Sequence, residues 1–549
     1  MLHYEIISTF NEIFVRMLLS INKFISKTFK KTYFTSLICN KMKFNFNPEL
    51  KGIKEINKSL FDMKISLPAI KVKKHSYSDV RKLLREYAFD SVTNFKKYQE
   101  LNESDPLSST HKYMLLDPDS FKLDKIDDKI KQDLLKLLNE DGKDLNSLVE
   151  NLQIQVGYDD LKFEDVIKAI IPDNLLTENV NVKGYSIIGH IAHFNLRDKI
   201  LDYKNIIGQT LLDKMPHLKT VVNKLNSIDN TYRNFQFEIL AGVNDTNVQT
   251  KENGCFFKFD FAKVYWNPRL GTEHERIVNM LNKNDVLYDV FAGVGPFSVP
   301  AITKQKVSYV ICNDLNPESY RYLIENYKSN NKSKTKQKQN EIKKLFLQQT
   351  NKKVEQLFDQ SLFKFEPLQS FIGFNLDGRE FIQKKLKYHL IELIRYRLAN
   401  QISIDNKNEF GKFYVLMNLP AMSIEFLDAF KNMYNFDESE KIKSNLSEEV
   451  LDKFQLNIYC YHFAKSEKAD IEQIKERISN EIFDDKNLFI NSKFVRKVAP
   501  NKDMFCSMFT LKFRHFLTTT ESNGKKKIDQ VDDSTENCNQ PNKIIKVDE

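Results

Sequence analysis

In the carboxy-terminal half of the chain, short apolar runs alternate with stretches that have the hydrophobic spacing of amphipathic helices. Residues 286–291, 307–312 and 413–417 are such runs, and each predicts a buried strand. Each run is followed by a turn and then by a helical pattern, and strands that alternate with helices are typical of parallel βαβ units. The sequence therefore predicts an α/β fold with a parallel sheet from residue 285 onward.

A glycine turn and an acidic residue follow the first two of these strands. Gly293 and Gly295 permit a tight turn that brings backbone close to a ligand, and Asp314 stands after the second strand. A carboxylate in that place can accept hydrogen bonds from both hydroxyls of a ribose. The glycine pattern is truncated, because Ser298 stands where the dinucleotide motif requires its last glycine. This disfavours NAD and favours a shorter adenosine cofactor, with S-adenosylmethionine the leading candidate; the alternative is a merely structural turn.

Two further polar clusters follow later strands. Asp377 and Gly378 come where a strand gives way to a helix, and Asn418 follows the strand at 413–417. The carboxyl ends of parallel strands open on one edge of the sheet, which is where ligands bind in open α/β folds. We therefore expect these residues to line one pocket together with the glycine turn and Asp314. Taken alone, Asp377 is also explained as a helix N-cap and Asn418 as part of a turn.

The composition limits the possible functions. The chain has 549 residues, enough for roughly two to four domains, and its 41% hydrophobic and 29% charged content indicates a mostly folded protein. The net charge of +9 suits a polyanionic partner without requiring one. No uninterrupted apolar run is long enough to span a membrane, and the P-loop motif of nucleotide hydrolases does not occur.

The residues that commonly bind metals or form disulfides are too scattered to predict either. The six cysteines are widely spaced and form no CxxC pair, which favours a reducing compartment. His190 and His193 have HxxH spacing, but the sequence offers no evident third ligand, so we predict no metal site.

Three basic or polar segments are predicted to lie outside the folded core. Residues 1–41 combine basic residues with helically spaced apolar ones, which is typical of a mitochondrial targeting segment or, alternatively, of an ordinary surface helix. A start at Met42 would delete this segment, so one gene could supply two forms. Residues 328–353 form a Lys/Asn-rich insertion, either solvated or in contact with nucleic acid, and residues 516–549 are typical of a disordered tail.

Several longer strings in the sequence are highly specific. In chain order they are GYSIIGHIAHFNLRD, TYRNFQFEILAG, VYWNPRLGTEHER, DVFAGVGPFSVPA, NDLNPES, NLDGREF, MNLPA and VRKVAPNKDMFCSMFTLKF. Together they resemble the tRNA (guanine-N1)-methyltransferases of eukaryotes and archaea, which modify the guanosine at tRNA position 37. The resemblance is strong over residues 180–515 and loose over residues 42–180.

The resemblance implies a fold, a reaction and a partner. It implies a Rossmann-like class I methyltransferase sheet with helices on both faces in residues 251–515, preceded by α+β RNA-binding domains in residues 42–150 and 151–250. The implied reaction transfers the methyl group of S-adenosylmethionine to guanine N1 in the anticodon loop of tRNA. We expect the chain to act as a monomer and to contact the RNA through its two amino-terminal domains.

The resemblance also assigns roles to individual residues. Glu273 in TEHER is the implied general base that removes the N1 proton, and Arg233 in TYRNF is the cation that holds negative charge on O6. Asn418 would help to hold the target base or the cofactor, and Tyr265 would stack on the base. The implied cofactor contacts are His274, Gly293, Gly295, Asp314, Leu315, Asp377, Gly378 and Asn418.

Simpler explanations remain open for these residues and for the chain. Glu273 is also explained as a helix-start carboxylate, Arg233 as half of a surface ion pair, and Tyr265 as a core residue. The alternative functions are an aminocarboxypropyltransferase of wybutosine synthesis that acts on the same nucleotide and a catalytically inactive tRNA-binding relative; the intact TEHER and NLPA strings favour methylation. We expect action on cytoplasmic and mitochondrial tRNAs, in the mitochondrial matrix, the cytoplasm and the nucleus.

Overall fold

The structure, a computed structural model, describes residues 44–89, 98–138, 143–176, 184–225, 236–331, 370–465, 468–499 and 501–518. The expected targeting segment lies outside these residues, as do most of the Lys/Asn-rich insertion and most of the carboxy-terminal tail. The chain forms two compact units. The first contains residues up to 250 and residues 259–263, and the second contains residues 251–258 and residues from 264 onward.

Two four-stranded sheets dominate the first unit. Its strands are β1 (Met63–Lys73), β2 (Tyr98–Glu100), β3 (His111–Leu115), β4 (Val149–Val156), β5 (Ser186–Ile188), β6 (Ile191–Phe194), β7 (Thr220–Lys224) and β8 (Phe237–Gly242). The first sheet has the order β2-β3-β1-β4 and is antiparallel, whereas in the second, β5-β6-β7-β8, strands β6 and β7 run parallel. The strands β9 (Asn247–Glu252) and β10 (Cys255–Asp260) pair where the chain passes between the units.

The helices of the first unit bury one face each. They are α1 (Tyr77–Leu83), α2 (Asp128–Leu138), α3 (Phe163–Ile170) and α4 (Lys204–Lys214). In α3 the buried side chains Phe163, Val166, Ile167 and Ile170 recur at the three- and four-residue spacing of a helix face. Glu164 and Asp165 stand in its first turn, where the helix dipole favours acidic groups.

The predicted domain boundary at residues 150 and 151 is wrong. It falls inside β4, whose residues 149–156 pair with β1. Leu67 of β1, Ile170 of α3 and Ala192 of β6 also belong to one hydrophobic cluster, so both predicted domains share a core. The boundary fails because β1 lies between β3 and β4 in the sheet and needs both partners to satisfy its backbone hydrogen bonds.

A seven-stranded sheet forms the centre of the second unit. Its strands are β11 (Val286–Asp289), β12 (Tyr309–Asn313), β13 (Phe371–Phe374), β14 (Phe413–Met417), β15 (Leu456–Ala464), β16 (Asn491–Ala499) and β17 (Lys502–Leu511), and their order is β13-β12-β11-β14-β15-β17-β16. The first five of these pair in parallel, as expected, whereas β17 runs antiparallel to both β15 and β16, so that β16 points in the same direction as the first five. Only two residues separate β16 from β17, and so short a connection permits only antiparallel pairing.

Helices cover both faces of this sheet, as the fold class predicts. They are α5 (Gly271–Met280), α6 (Ser298–Thr303), α7 (Pro317–Asn330), α8 (Gly378–Phe381), α9 (Lys387–Ala399), α10 (Lys407–Phe410), α11 (Phe436–Asn445), α12 (Glu448–Lys453) and α13 (Lys468–Glu476). Successive strand residues point to opposite faces. Val286 and Tyr288 of β11 pack in a cluster with residues of α9, whereas Asp289 accepts a hydrogen bond from Ser298 of α6 on the other face.

The folded chain extends further than the sequence predicts. Phe516 and Leu517, assigned to the disordered tail, are buried in the core, and the amide of Tyr434 donates to the carbonyl of Phe516 over 2.9 Å. The predicted start of the tail at residue 516 is therefore too early, because two large apolar side chains had been counted with a polar segment. Among the described residues no helix is long and apolar enough to cross a membrane.

Candidate active site

The strand ends that the sequence singles out lie along one edge of the large sheet. Asp289, the last residue of β11, pairs in register with Cys312 of β12 on one side and Leu416 of β14 on the other. The glycine turn, Asp314 and Asn418 each follow within a few residues of these positions. The structure thus brings them to the carboxyl edge, as expected for an open α/β sheet.

The two glycines of the turn have different reasons to lack a side chain. Gly295 has φ +95°, and a Cβ atom there would lie 2.6 Å from Cγ2 of Val299 and 2.7 Å from Cδ1 of Leu323. Gly293 has φ +56°, yet nothing lies within 4 Å of the position that its Cβ would occupy. Gly295 therefore allows the turn to pack against α6 and α7, whereas Gly293 leaves open space beside the backbone.

Asp314 is fixed by the turn that it faces. Its Oδ2 accepts a hydrogen bond of 2.7 Å from the amide of Gly293, and its Oδ1 accepts one of 3.0 Å from the amide of Asn316. Burial raises the pKa of this carboxyl to about 6, although both amide hydrogen bonds act in the opposite direction. Beside it Leu315 exposes 40% of its surface, which places an apolar side chain next to the carboxylate.

Two asparagines that the sequence analysis did not select hold the loops of this edge together. Nδ2 of buried Asn313 donates to the carbonyls of Val290 and Leu376, over 3.2 and 2.9 Å. Nδ2 of Asn375 donates to the carbonyls of Asp314 and Leu315, over 2.7 and 2.9 Å. Asn313 directly follows the apolar run of residues 307–312, and a polar amide in that place was the available sign, since buried polar groups need several partners.

Asp289 is a second acid that the sequence analysis did not select. It is fully buried; Oδ2 accepts a 2.7 Å hydrogen bond from the hydroxyl of Ser298, and Oδ1 has no partner among the described residues. Burial first, and then the nearby charge of Asp314, raise the pKa of Asp289 to about 7. Its place at the end of the strand that precedes the glycine turn could have drawn attention to it.

Asp377 is a helix N-cap, which is the simpler explanation that the sequence offered for it. Its Oδ1 accepts hydrogen bonds from the amides of Arg379, at 2.9 Å, and Glu380, at 3.4 Å, at the start of α8. Gly378 follows it, where a Cβ would lie 2.9 Å from Cε1 of Phe291. Capping and close packing thus account for both residues, and the cofactor contacts assigned to them stay predictions.

Asn418 carries an unused acceptor on an otherwise fixed loop. Its Oδ1 is buried and has no partner among the described residues, a state that costs about 1–3 kcal/mol unless a ligand satisfies it. The hydroxyl of Ser423 donates to the carbonyl of Met417 over 2.8 Å and accepts from the amide of Leu419 over 2.9 Å, which holds the loop closed. The predicted adenosine cofactor fits this edge, which offers the open side of Gly293, the fixed carboxylate of Asp314 and Oδ1 of Asn418.

Glu273 lies at the same edge in a buried network. It is 7% exposed, and the guanidinium of Arg276 donates to both of its oxygens, Nε to Oε2 over 2.7 Å and Nη2 to Oε1 over 2.6 Å. The hydroxyl of Tyr461, just past the β15 residue Cys460 that pairs with Met417 of β14, donates to Oε1 over 2.7 Å. Neither partner was foreseen, and the helix-start explanation alone does not account for this triad.

His274 connects the helix of Glu273 to the glycine turn. The carboxylate of Glu252 lies 2.6 Å from its Nδ1, and its ring forms a T-shaped pair with that of Phe297 at a centroid distance of 4.6 Å. Phe297 in turn lies 6.2 Å from the ring of Tyr461. The side chain is 3% exposed, so the structure gives it a supporting role, and the direct cofactor contact stays a prediction.

The remaining predicted residues are placed as follows. Tyr265 is 44% exposed, which excludes the core-residue explanation, and Nδ2 of Asn267 lies 3.4 Å from its hydroxyl. Arg233 lies outside the described residues. His190 contacts the carbonyl of Asp245 and His193 packs on another ring, and the described residues contain no group of three His, Cys, Asp or Glu side chains that could hold a metal ion.

Comparisons with known proteins identify relatives over most of the chain. Residues 248–356 match the family model of the TRM5/TYW2 methyltransferase domain, and residues 163–246 match that of the TYW2 N-terminal domain. A tRNA (guanine(37)-N(1))-methyltransferase of Xenopus tropicalis is 39% identical over 85% of this chain and 80% of its own length. One of Drosophila melanogaster is 41% identical over 67% and 68%. Among solved structures, Trm5b from Pyrococcus abyssi is 21% identical, with a TM-score of 0.46 over 81% of this chain and 99% of that one.

Proposed function

This chain belongs to the family of tRNA (guanine(37)-N(1))-methyltransferases, and we propose that it transfers a methyl group from S-adenosylmethionine to N1 of guanosine 37 in tRNA. The observation that carries the proposal is the buried carboxylate of Glu273 at the carboxyl edge of the sheet, on the same edge as the glycine turn. The substrate is tRNA, and the site would receive the base from the anticodon loop, whose unstacked bases can be extruded.

The reaction needs a base and a counter-charge. Guanine N1 carries a proton at neutral pH, so its lone pair becomes available only when that proton leaves, and negative charge then gathers on O6. We assign proton removal to Glu273, whose Oε2 accepts a single hydrogen bond within the described residues and so retains an open acceptor position. Arg233 is the proposed donor to O6. A positioned base contributes about 10²–10⁴ in rate and an oxyanion donor about 10²–10³.

The described residues also provide the cofactor side of the site. When bound, S-adenosylmethionine supplies an electrophilic methyl group. Asp314 is placed to accept hydrogen bonds from ribose hydroxyls, Gly293 to let a ligand approach the backbone, and Oδ1 of Asn418 to accept a hydrogen bond from a ligand amino group. Leu315 offers an apolar contact to the adenine.

Substitution of Glu273 tests the assignment. The Glu273→Gln protein should bind S-adenosylmethionine normally in calorimetry but lose at least about 100-fold in single-turnover methyl transfer to a tRNA transcript with G37, since the amide cannot take the proton. Glu325→Gln, on the exposed surface of α7, makes the same change of residue and charge, is the matched control and should keep wild-type turnover. Wild-type turnover by Glu273→Gln would remove this residue from the mechanism.

The transferred group distinguishes the methyltransferase from its nearest alternative. The matched models carry the names of both TRM5 and TYW2 proteins, so an aminocarboxypropyl transfer to the same nucleotide is the second candidate. Mass analysis of digested tRNA should show 1-methylguanosine; a larger adduct would select the alternative, and no adduct a catalytically inactive relative.

We further propose that the protein acts as a monomer and serves mitochondrial as well as cytoplasmic and nuclear tRNA, through starts at Met1 and Met42. The support for mitochondrial targeting is the basic, amphipathic character of residues 1–41, which lie outside the described residues. Sequencing of the amino terminus in each cell fraction should find Met42 first in the extramitochondrial form. Sedimentation of the purified protein should give one chain per particle.

A further inference from the structure

The edge strand of the large sheet is strongly basic. Strand β16 is the last strand on its side of the sheet, so one row of its backbone groups is unpaired within the described residues. The surrounding segment, residues 486–502, contains the five cations Lys486, Lys493, Arg496, Lys497 and Lys502 and no acidic residue. None of the five forms an ion pair with a described residue. Asp503 lies opposite Lys497 on β17, but the residues opposite Lys493 and Arg496 are the uncharged Cys506 and Met504, so no acid of β17 faces those two cations of the strip.

Two of these cations stand on the face of the sheet that carries Glu273. Lys493 pairs in register with Cys506, and Cys506 pairs with Tyr461, the residue that donates to Glu273. Residues that lie directly opposite each other share a face, so Lys493 follows Tyr461 outward across two strands, roughly 10 Å away. Arg496 pairs with Met504, and Met504 pairs with Phe463, which is two residues nearer than Tyr461 to the carboxyl end of β15. Both cations thus lie beside the active site, toward its open edge.

Arg496 is held close to the loop that precedes α5. Its Nη1 lies 3.4 Å from Oδ1 of Asn267, and Asn267 also contacts Tyr265. The same Oδ1 of Asn267 accepts a hydrogen bond of 3.1 Å from the amide of Arg269, so Arg269 and Arg496 meet at one side chain. Burial and then the charge of Arg269 lower the pKa of Arg496. Lysines on an edge strand are often explained by protection against aggregation. A half-buried arginine that contacts a neighbouring loop is not explained in that way.

We propose that a basic edge, formed by Lys493 and Arg496 of β16 together with Arg269, binds backbone phosphates of the RNA substrate beside the nucleotide that enters the active site. The proposal rests on the proposed function and adds an RNA contact surface to the catalytic unit, where the sequence analysis expected RNA contacts on the amino-terminal domains. Arginine and lysine are the side chains that neutralise phosphates, and the anion would relieve the repulsion between Arg269 and Arg496.

A pair of double variants tests the basic edge. Lys493→Gln with Arg496→Gln removes two charges from the edge, and Lys441→Gln with Lys443→Gln removes two from α11, so both change the net charge from +9 to +7. Binding of a G37 tRNA transcript is measured over a range of salt concentrations. The edge variant should bind about tenfold or more weakly, and its slope of log K against log salt should fall by about 1.4, from two contacts of about 0.7 each. The α11 variant should match the wild type.

The outcomes separate a local contact from a general charge effect. Equal weakening of both variants, or wild-type binding by the edge variant, would overturn the proposal. If the edge variant fails to fold, as judged by loss of S-adenosylmethionine binding, the wild-type chain provides the decision through hydrogen exchange. The amides of β16 should exchange more slowly when tRNA is added, and unchanged exchange would overturn the proposal and assign the exposed Phe489 and Phe494 of this strip to a protein partner instead.

Failure of this inference is distinguishable from failure of the proposed function. A wild-type protein that methylates G37 tRNA, combined with an edge variant that binds like the wild type, rejects only the basic edge. A wild-type protein that transfers no methyl group to G37 tRNA, but whose β16 amides are protected by tRNA, rejects the reaction and keeps the RNA contact.

Discussion

The two sides of the active site are built in different ways. On the cofactor side, the glycine turn, Asp314 and Asn418 are placed by turns and hydrogen bonds at the ends of neighbouring strands. On the base side, Glu273 is held by Arg276 three residues away and by Tyr461, which is 188 residues further along the chain. A local turn can be read from a short motif, whereas the environment of Glu273 exists only after α5 and β15 have packed together.

Removal of Arg276 should damage the base side most. Breaking a buried ion pair costs roughly 3–5 kcal/mol of unfolding free energy, because the remaining charge is left unpaired. Since the side chain of Arg276 is 27% exposed, Arg276→Met should lower the free energy of unfolding by about 3 kcal/mol, the lower end of this range. Methyl transfer should fall at least about 100-fold because the carboxylate loses its orientation. Urea unfolding and single-turnover rates provide the measurements.

A second substitution tests whether the unpaired charge is the cause. In Arg276→Met combined with Glu273→Gln the buried charge is absent, so most of the lost stability should return although activity should not. Equal destabilisation of the single and double variants would show that packing of the arginine matters more than its charge.

On the cofactor side, Asp289 should make stability depend on pH. Its folded pKa, about 7, lies above the ordinary value of 3.8, so its contribution is fully present below pH 3.8 and is lost as the pH rises through 7. The free energy of unfolding of Asp289→Asn should therefore exceed that of the wild type by about 3 kcal/mol at pH 8 and equal it near pH 4. The comparison is made by urea unfolding at both pH values.

Two buried histidines do not disturb this comparison. Burial lowers the pKa of His389 to about 3 and that of His462 to about 4, and both destabilise the fold as the pH falls below 6.5. They are present in the wild type and in Asp289→Asn, so their effect cancels in the difference. A difference that stays constant from pH 4 to pH 8 would contradict the assigned pKa.

The two glycines of the turn should respond differently to the same substitution. In Gly295→Ala the new methyl group meets Val299 and Leu323 and the backbone is left-handed, so stability should fall by about 2–4 kcal/mol. In Gly293→Ala the methyl group points into open space, so the loss should be near 1 kcal/mol. Cofactor binding should nevertheless weaken in Gly293→Ala, because the ligand uses that space. The measurement is calorimetry with S-adenosylmethionine. Normal binding by Gly293→Ala would show that the cofactor does not use the space beside Gly293.

The smallest expected effect concerns Tyr461. Tyr461→Phe removes one hydrogen bond to Glu273 and leaves the bidentate pair with Arg276 intact. Single-turnover methyl transfer should fall by about tenfold, since a hydrogen bond to a charged group contributes about 1.5–3 kcal/mol, while cofactor binding should not change. An unchanged rate would show that Arg276 alone fixes the carboxylate.

The local features of the site were predictable from the sequence. The strand at Phe413–Met417 has the predicted bounds, Asn316 caps α7 with Pro317 in its first turn, and the glycine turn meets Asp314. Each of these depends on residues that are close in the chain or that follow adjacent strands. The same reasoning failed at residues 150 and 516, where a strand partner and a core contact were supplied by distant parts of the chain.

The amino-acid sequence by itself determined the α/β pattern, the carboxyl edge on which the polar residues meet, and the family to which its motifs point. The tertiary structure alone decided that Arg276 and Tyr461 hold Glu273, and that Asp289 is buried with one oxygen that has no partner among the described residues. It also decided that β16 presents two of its cations on the face of Glu273. The physical reason is that strand order and register are set by long-range packing, which no local spacing of residues encodes.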